Sequence, residues 1–148
     1  FEEAKPRLEE LFDMLPNDFV YPIEGRHESW FTDKALNYFK QKKHCLIWNV
    51  VEGVNNPFPI TSDYLYVRLI GDRSIPNKQF GTIRKNKSNF IKKWAQKLTE
   101  ISDIPLAMVM ANNHFEGFGP ATANNLGENL GKMELIWEEK KQKTIGNF

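Results

Sequence analysis

The chain has 148 residues, 20 basic and 19 acidic side chains and a formal charge of +1, about one domain's worth with no surplus of charge for coating nucleic acid. Hydrophobic residues make up 41% and charged ones 26%, ordinary globular values that exclude disordered, collagen-like and low-complexity classes. No apolar run approaches the roughly 18 to 20 residues of a membrane-spanning helix, and Phe1-Glu2-Glu3-Ala4-Lys5-Pro6 does not resemble a signal peptide, so a cytoplasmic protein without membrane contact is expected.

Leu8, Leu11, Phe12 and Leu15 recur at helical spacing and Pro16 ends the pattern, predicting a helix over 2–15. The chain thus opens at Phe1 inside a helical pattern, which suggests a piece of something longer. Phe19 to Glu24 reads as a short strand, although Pro22 lacks an N–H for a ladder. Thr32 or Asp33 can cap a helix reaching about Lys42, buried through Ala35, Leu36 and Phe39. His44 to Val51 is nearly all apolar and predicts a strand covered on both faces. Cys45, the one cysteine, lies in it as a buried packing residue, and no internal disulfide can form.

Residues 52–63 show no helical period, and as a link between parallel strands they are barely long enough. A third strand is expected over Tyr64 to Ile70, then a polar loop to Lys87 and a helix over Ser88 to Ser102 with Ile91, Trp94, Ala95 and Leu98 inward. Ile104 to Ala111 predicts the fourth strand, and Asn112 to Phe118 a loop. Pro120 opens the last helix and Gly131 can end it. Residues 1–131 then form the domain, and Lys132 to Phe148 reads as a frayed tail with an apolar patch at Leu135-Ile136-Trp137. The order implies an α/β fold of four mainly parallel strands with outer helices.

Three polar clusters follow the strand runs, at the sheet edge where ligands bind in parallel α/β folds. In Glu24-Gly25-Arg26-His27 a carboxylate, a guanidinium and an imidazole fall within four residues. Glu24 and His27 are the acid–base candidates, because neighbouring groups readily move such side chains toward neutral pH. Arg26 is a clamp, since guanidinium does not deprotonate usefully. The competing account locks Glu24 to Arg26 or Arg68 as a structural ion pair.

The second cluster is Arg68, inside an apolar strand, with Gly71-Asp72-Arg73 beyond it. A buried arginine needs an anionic partner, either Glu24, Asp72 or a ligand. Lys78, Arg84, Lys85 and Lys87 make the following loop basic, with Lys85 and Lys87 read as a solvated charge run. In the third cluster, Asn112-Asn113-His114 precedes Gly117-Phe118-Gly119-Pro120. Paired asparagines offer donors and acceptors to a substrate, and a helix N-terminus favours an anion. An anion site is therefore expected from Arg68, Arg73 and the backbone before Pro120. Neither a Walker loop nor a dinucleotide fingerprint is present, and His27, His44 and His114 lack zinc-site spacing. No metal site is expected, and no cofactor is indicated.

Taken in order, Glu24-x-Arg26-His27-x-Ser29-Trp30-Phe31, Tyr66-Val67-Arg68-Leu69-x-Gly71 and Asn112-Asn113-His114-x-x-Gly117-x-Gly119-Pro120-Ala121-Thr122-Ala123-Asn124 resemble the YecE-like family, also called domain of unknown function 72. The resemblance covers about residues 4–131. It implies the C-terminal half of a TIM-type (β/α) barrel, in which the strands here are the last four of eight. Two positions depart from the family pattern. Ile70 stands where many members carry histidine, and Asn49 where many carry aspartate.

The leading functional expectation is an enzyme or degenerate enzyme that binds an anionic small molecule, phosphorylated or nucleotide-like, through Arg26, Arg68, Asp72, Arg73, Asn112, Asn113 and His114. The alternative is a non-catalytic binding module for nucleic acid or a protein partner, using Arg73, Lys78, Arg84 and Lys85. Four strands leave an apolar inner face open, so a dimer or a missing N-terminal half is expected to complete the barrel.

Overall fold

The computed structural model describes residues 1–50, 54–101 and 103–132. Helix α1 (Lys5–Met14) carries Pro6 in its first turn, where a missing N–H costs nothing, and turns Leu8 and Phe12 inward. Residues 19–24 do not form the expected strand. They pair only through a parallel bridge of Ile23 with Leu46, in which the Ile23 amide donates to the Cys45 carbonyl at 2.7 Å and the Ile47 amide to the Ile23 carbonyl at 2.8 Å. Pro22 cannot extend the ladder, and Phe19 and Val20 stay exposed. A short 3-10 turn (Glu28–Phe31) leads into α2 (Asp33–Lys42), whose first turn is capped by the Thr32 hydroxyl accepting from the Ala35 amide.

Three strands form one parallel sheet in the order β1 (Trp48–Val50), β2 (Tyr64–Leu69) and β3 (Leu106–Ala111). Among the described residues the sheet is therefore three strands plus a bridge, where four strands were expected. The expected end of the second strand, Val51, lies outside the described residues, as does Ser102, the expected end of the helix that stops at Thr99. The described residues of the crossover from β1 to β2, 54–63, contain no helix. Side chains replace it: the Thr61 hydroxyl accepts from the Leu46 amide and donates to the His44 carbonyl, both at 2.8 Å, while Asn56 Nδ2 donates to the Ile47 carbonyl at 3.1 Å. Buried polar groups of an irregular segment need such partners.

Helices α3 (Ser88–Thr99) and α5 (Gly119–Asn129) cover one sheet face. Trp48, Leu65, Val67 and Leu69 pack there against Ile91, Trp94, Ala95, Phe115 and Leu126, each large side chain contributing about 1.5–3 kcal/mol by burial. A second cluster joins Leu8 and Phe12 of α1 to Tyr38 and Phe39 of α2 and to Leu46. Asn112 to Phe118, expected as a loop, holds the short helix α4 (Asn113–Glu116). The expected tail beyond Lys132 lies outside the described residues.

On the other face of β2 and β3 no helix lies among the described residues. Register places Tyr64 beside Leu106, Tyr66 beside Met108 and Arg68 beside Met110, and the Tyr64 and Tyr66 rings stack 6.4 Å apart. Leu106, Met108 and Met110 remain 55%, 43% and 51% exposed. Among the described residues this face is thus open along β2 and β3, whereas Cys45 to Asn49 are all buried, so the His44 to Val50 stretch is covered on both faces as expected.

His44 sits between Phe12 and Tyr21, 4.0 Å and 5.8 Å between ring centroids, in a cleft that also holds Asp13, Asp18, Lys42 and Lys43. Burial pushes its imidazole below the ordinary 6.5, with Lys42 acting in the same direction. The unfolded chain therefore binds a proton that the folded chain resists. This stability contribution is complete above the unfolded pKa and is lost as pH falls through the folded one. The midpoint of thermal unfolding is expected to drop between about pH 7 and pH 5, and His44→Gln should flatten that slope; equal slopes in the two proteins would contradict it.

Candidate functional site

The carboxyl ends of the strands gather the first two polar clusters. Glu24 follows the Ile23 bridge, and its side chain, 12% exposed, is held by two guanidinium groups: Arg68 Nη1 bonds Oε2, and Arg26 Nε donates to Oε1 at 2.5 Å. Arg68 comes from β2 and is half-buried, whereas Arg26 is largely exposed. Arg68 lines a small cleft of about 120 Å³ together with Tyr66, Met110 and Asn112.

Behind this pair a buried amide network fixes the Glu24 turn. Asn49, 2% exposed and in register with Arg68, donates from Nδ2 to the Gly25 carbonyl at 2.8 Å. Its Oδ1 accepts from Asn56 Nδ2 at 3.1 Å, and Asn56 Oδ1 accepts the Phe58 amide at 2.8 Å. An ionised aspartate at position 49 has no proton for the Gly25 carbonyl, so asparagine suits this geometry. Gly25 allows the close approach, since a Cβ there would fall 2.7 Å from the Cβ of Trp30.

The remaining predicted residues divide. His27 is exposed and turned to its own loop, its Nδ1 accepting the Ser29 amide at 3.1 Å. No hydrogen bond joins it to Glu24 among the described residues. Asp72 pairs with Lys85 at 2.6 Å rather than with Arg68, and its carboxyl is held well below the usual carboxylate range by that ammonium and by the Ser74 hydroxyl and amide. Arg73 is exposed at φ 59° and has no polar partner among the described residues. Asn112 Oδ1 caps α4 by accepting the His114 amide at 2.9 Å, and Asn113 Oδ1 accepts the Gly119 amide at 2.8 Å. The first amide of α5 thus already has an acceptor. His114 packs edge-on against Phe80 at 4.8 Å, with its Nδ1 buried and unpartnered. No group of three His, Cys, Asp or Glu among the described residues is placed to hold a metal ion.

Two residues escaped the sequence reading. Glu116, 1% exposed, accepts the Lys87 amide on Oε1 and the Thr122 hydroxyl on Oε2, both at 2.8 Å, while its carbonyl accepts the Arg84 and Lys85 amides. It ties the basic loop to α5. No spacing rule joins a carboxylate to a threonine six residues on across a helix break. Lys87 is the other: it is half-buried over the Phe115 ring at 4.2 Å, not part of a solvated run.

The model for "Protein of unknown function DUF72" matches residues 1–145. The chain belongs to this family. Among solved structures, it is similar to a DUF72 family protein from Thermotoga maritima MSB8, 18% identical with a TM-score of 0.68 over 84% of this chain and 50% of that one. A DUF72 family protein from Enterococcus faecalis V583 gives 17% identity and a TM-score of 0.67 over 90% of this chain and 57% of that one. At these identities the likeness is one of fold. The chain spans half, or a little more, of the length of these relatives. No curated protein matches it. No helix among the described residues of this DUF72 chain is long and apolar enough to cross a membrane.

Proposed function

We propose that this DUF72 chain supplies the last four β/α units of a TIM-type barrel in the cytoplasm. Its carboxyl-end site binds an anionic small molecule, phosphorylated or nucleotide-like, in an enzyme or degenerate enzyme. One observation carries the reading: Arg26 and Arg68 converge on the single carboxylate of Glu24, leaving one positive charge in surplus beside an open cleft. Guanidinium presents a fork of donors that fits phosphate or carboxylate oxygens, and this edge of a parallel sheet is where ligands bind.

Glu24 orients Arg68 and is the candidate base, with His27 the candidate acid; Asn112 and Asn113 still offer their Nδ2 groups to a substrate. The open face of Tyr66, Met108 and Met110, and the greater length of the solved relatives, support a second copy or an N-terminal half as its cover.

Thermal unfolding in the presence of inorganic phosphate, AMP and uncharged adenosine, at constant ionic strength, tests the site. Phosphate and AMP are expected to raise the midpoint, since a ligand at 100 times its Kd adds about 2.7 kcal/mol. Arg68→Ala should weaken binding roughly 10- to 100-fold, the size of one charged hydrogen bond, while adenosine alone leaves the midpoint unmoved. An equal anion response in Arg68→Ala contradicts the assignment. The exposed Arg73 and Lys78 favour polyanion binding as the second reading, which predicts instead steep weakening of oligonucleotide binding with salt.

A further inference from the structure

The bonds behind the Glu24 turn run in one direction through two buried carboxamides. The Phe58 amide donates to Asn56 Oδ1, Asn56 Nδ2 donates to the Ile47 carbonyl and to Asn49 Oδ1, and Asn49 Nδ2 donates to the Gly25 carbonyl. Each side-chain nitrogen and oxygen of the pair therefore has a partner. The far end of this chain of bonds is strained, with Phe58 at φ 56°, where a bulky side chain is an outlier. Such a conformation persists only where surrounding contacts enforce it, and the Phe58 amide held in this way is the one that orients Asn56.

Position 49 is also the neighbour of Arg68. The two are register partners on parallel strands, so their Cα atoms lie about 4.8 Å apart and their side chains leave the same face of the sheet. Asn49 is buried, and a charge at a buried position is screened little by water. A carboxylate there would act on the Arg68 guanidinium at short range, in competition with any ligand. A carboxamide makes the bonds to Gly25 and Asn56 and brings no charge.

We propose that Asn49 is a specificity-determining residue of the Arg68 site: its neutral carboxamide fixes the Glu24 turn while leaving the guanidinium of Arg68 to an anionic ligand. The inference rests on the anion-binding reading of that site and adds which residue sets its preference for charge. Aspartate at position 49, of nearly the same size, would supply an internal carboxylate beside Arg68 and turn the site away from anions. It would also have no proton for the Gly25 carbonyl until it is itself protonated.

Calorimetric titration of the full chain with sodium sulfate at constant ionic strength tests this, because sulfate keeps its double charge across the pH range used. Asn49→Asp is expected to bind sulfate at least about tenfold more weakly than the parent near pH 8. That ratio should shrink toward one as the pH falls to about 4, where the carboxyl takes up a proton and becomes neutral again. Asn49→Thr, neutral and of similar volume, keeps the test open should the aspartate variant fail to fold. It is expected to unfold at a lower temperature yet hold the parent's sulfate affinity within about threefold. Equal affinity of Asn49→Asp and the parent near pH 8, a ratio that ignores pH, or a tenfold loss in Asn49→Thr would overturn the proposal. Arg68→Ala separates the two readings. If it binds sulfate as the parent does, the anion site itself is lost and the role of Asn49 with it, whereas a loss in Arg68→Ala with none in Asn49→Asp overturns the role of Asn49 alone.

Discussion

Replacing Glu116 with alanine is expected to lower the free energy of unfolding by about 1–3 kcal/mol, because the Lys87 amide loses its acceptor and the Thr122 hydroxyl loses the shorter of its two bonds. The Lys87 amide is partly buried, and the Thr122 hydroxyl keeps its 3.2 Å bond to the Phe118 carbonyl in a site where Glu116 and Thr122 are 1% and 0% exposed. Glu116→Gln keeps one oxygen acceptor and a similar volume, so its loss should be the smaller of the two. Urea denaturation measures both. An alanine variant within about 0.5 kcal/mol of the parent, the range of ordinary surface substitutions, would show that Glu116 does not hold the loop to α5.

Gly71→Ala is the second large effect. Gly71 closes β2 at φ +83°, and a Cβ on it would overlap the carbonyl group of His114, which is backbone and cannot swing aside. Gly81 supplies the control: its φ is +101°, equally unfavourable for a side chain, but nothing lies within 4 Å of its Cβ position. Both variants carry the conformational cost of about 1–3 kcal/mol, and only Gly71→Ala adds the collision. Gly71→Ala is therefore expected to be the more destabilising by at least about 1 kcal/mol, the low end of typical overpacking costs. Equal losses would mean that the close approach of the β2 loop to α4 is not a constraint.

The longer helices α1, α2, α3 and α5 were legible because each carries its own signals, whereas the single turn of α4 was read as a loop. Thr32 caps α2 as its side-chain oxygen predicts, and the inward residues of α3 follow from spacing alone. The clustering of Glu24, Arg26 and Arg68 was also readable, since a charged residue inside an apolar strand must find a partner. What could not be read were the choices made by tertiary contact. The 19–24 segment has strand-like residues, yet Pro22 and exposed Phe19 and Val20 leave it one bridge. Asp72 found Lys85 rather than Arg68 because the two meet through the fold of the 72–85 loop, thirteen residues apart in sequence. The two asparagines were expected to face a ligand, and their oxygens instead cap α4 and α5. Short polar side chains beside a helix start satisfy the nearest free amides first.

The most direct test of the account is a nuclear magnetic resonance titration of the chain with AMP, following the Nε–H signals of its five arginines. The signals of Arg26 and Arg68 are expected to move together and to saturate on one binding curve, with Arg7, Arg73 and Arg84 nearly still. Movement confined to Arg73 and Arg84, or no saturable movement of Arg68, would contradict an anion site at the Glu24–Arg68 pair.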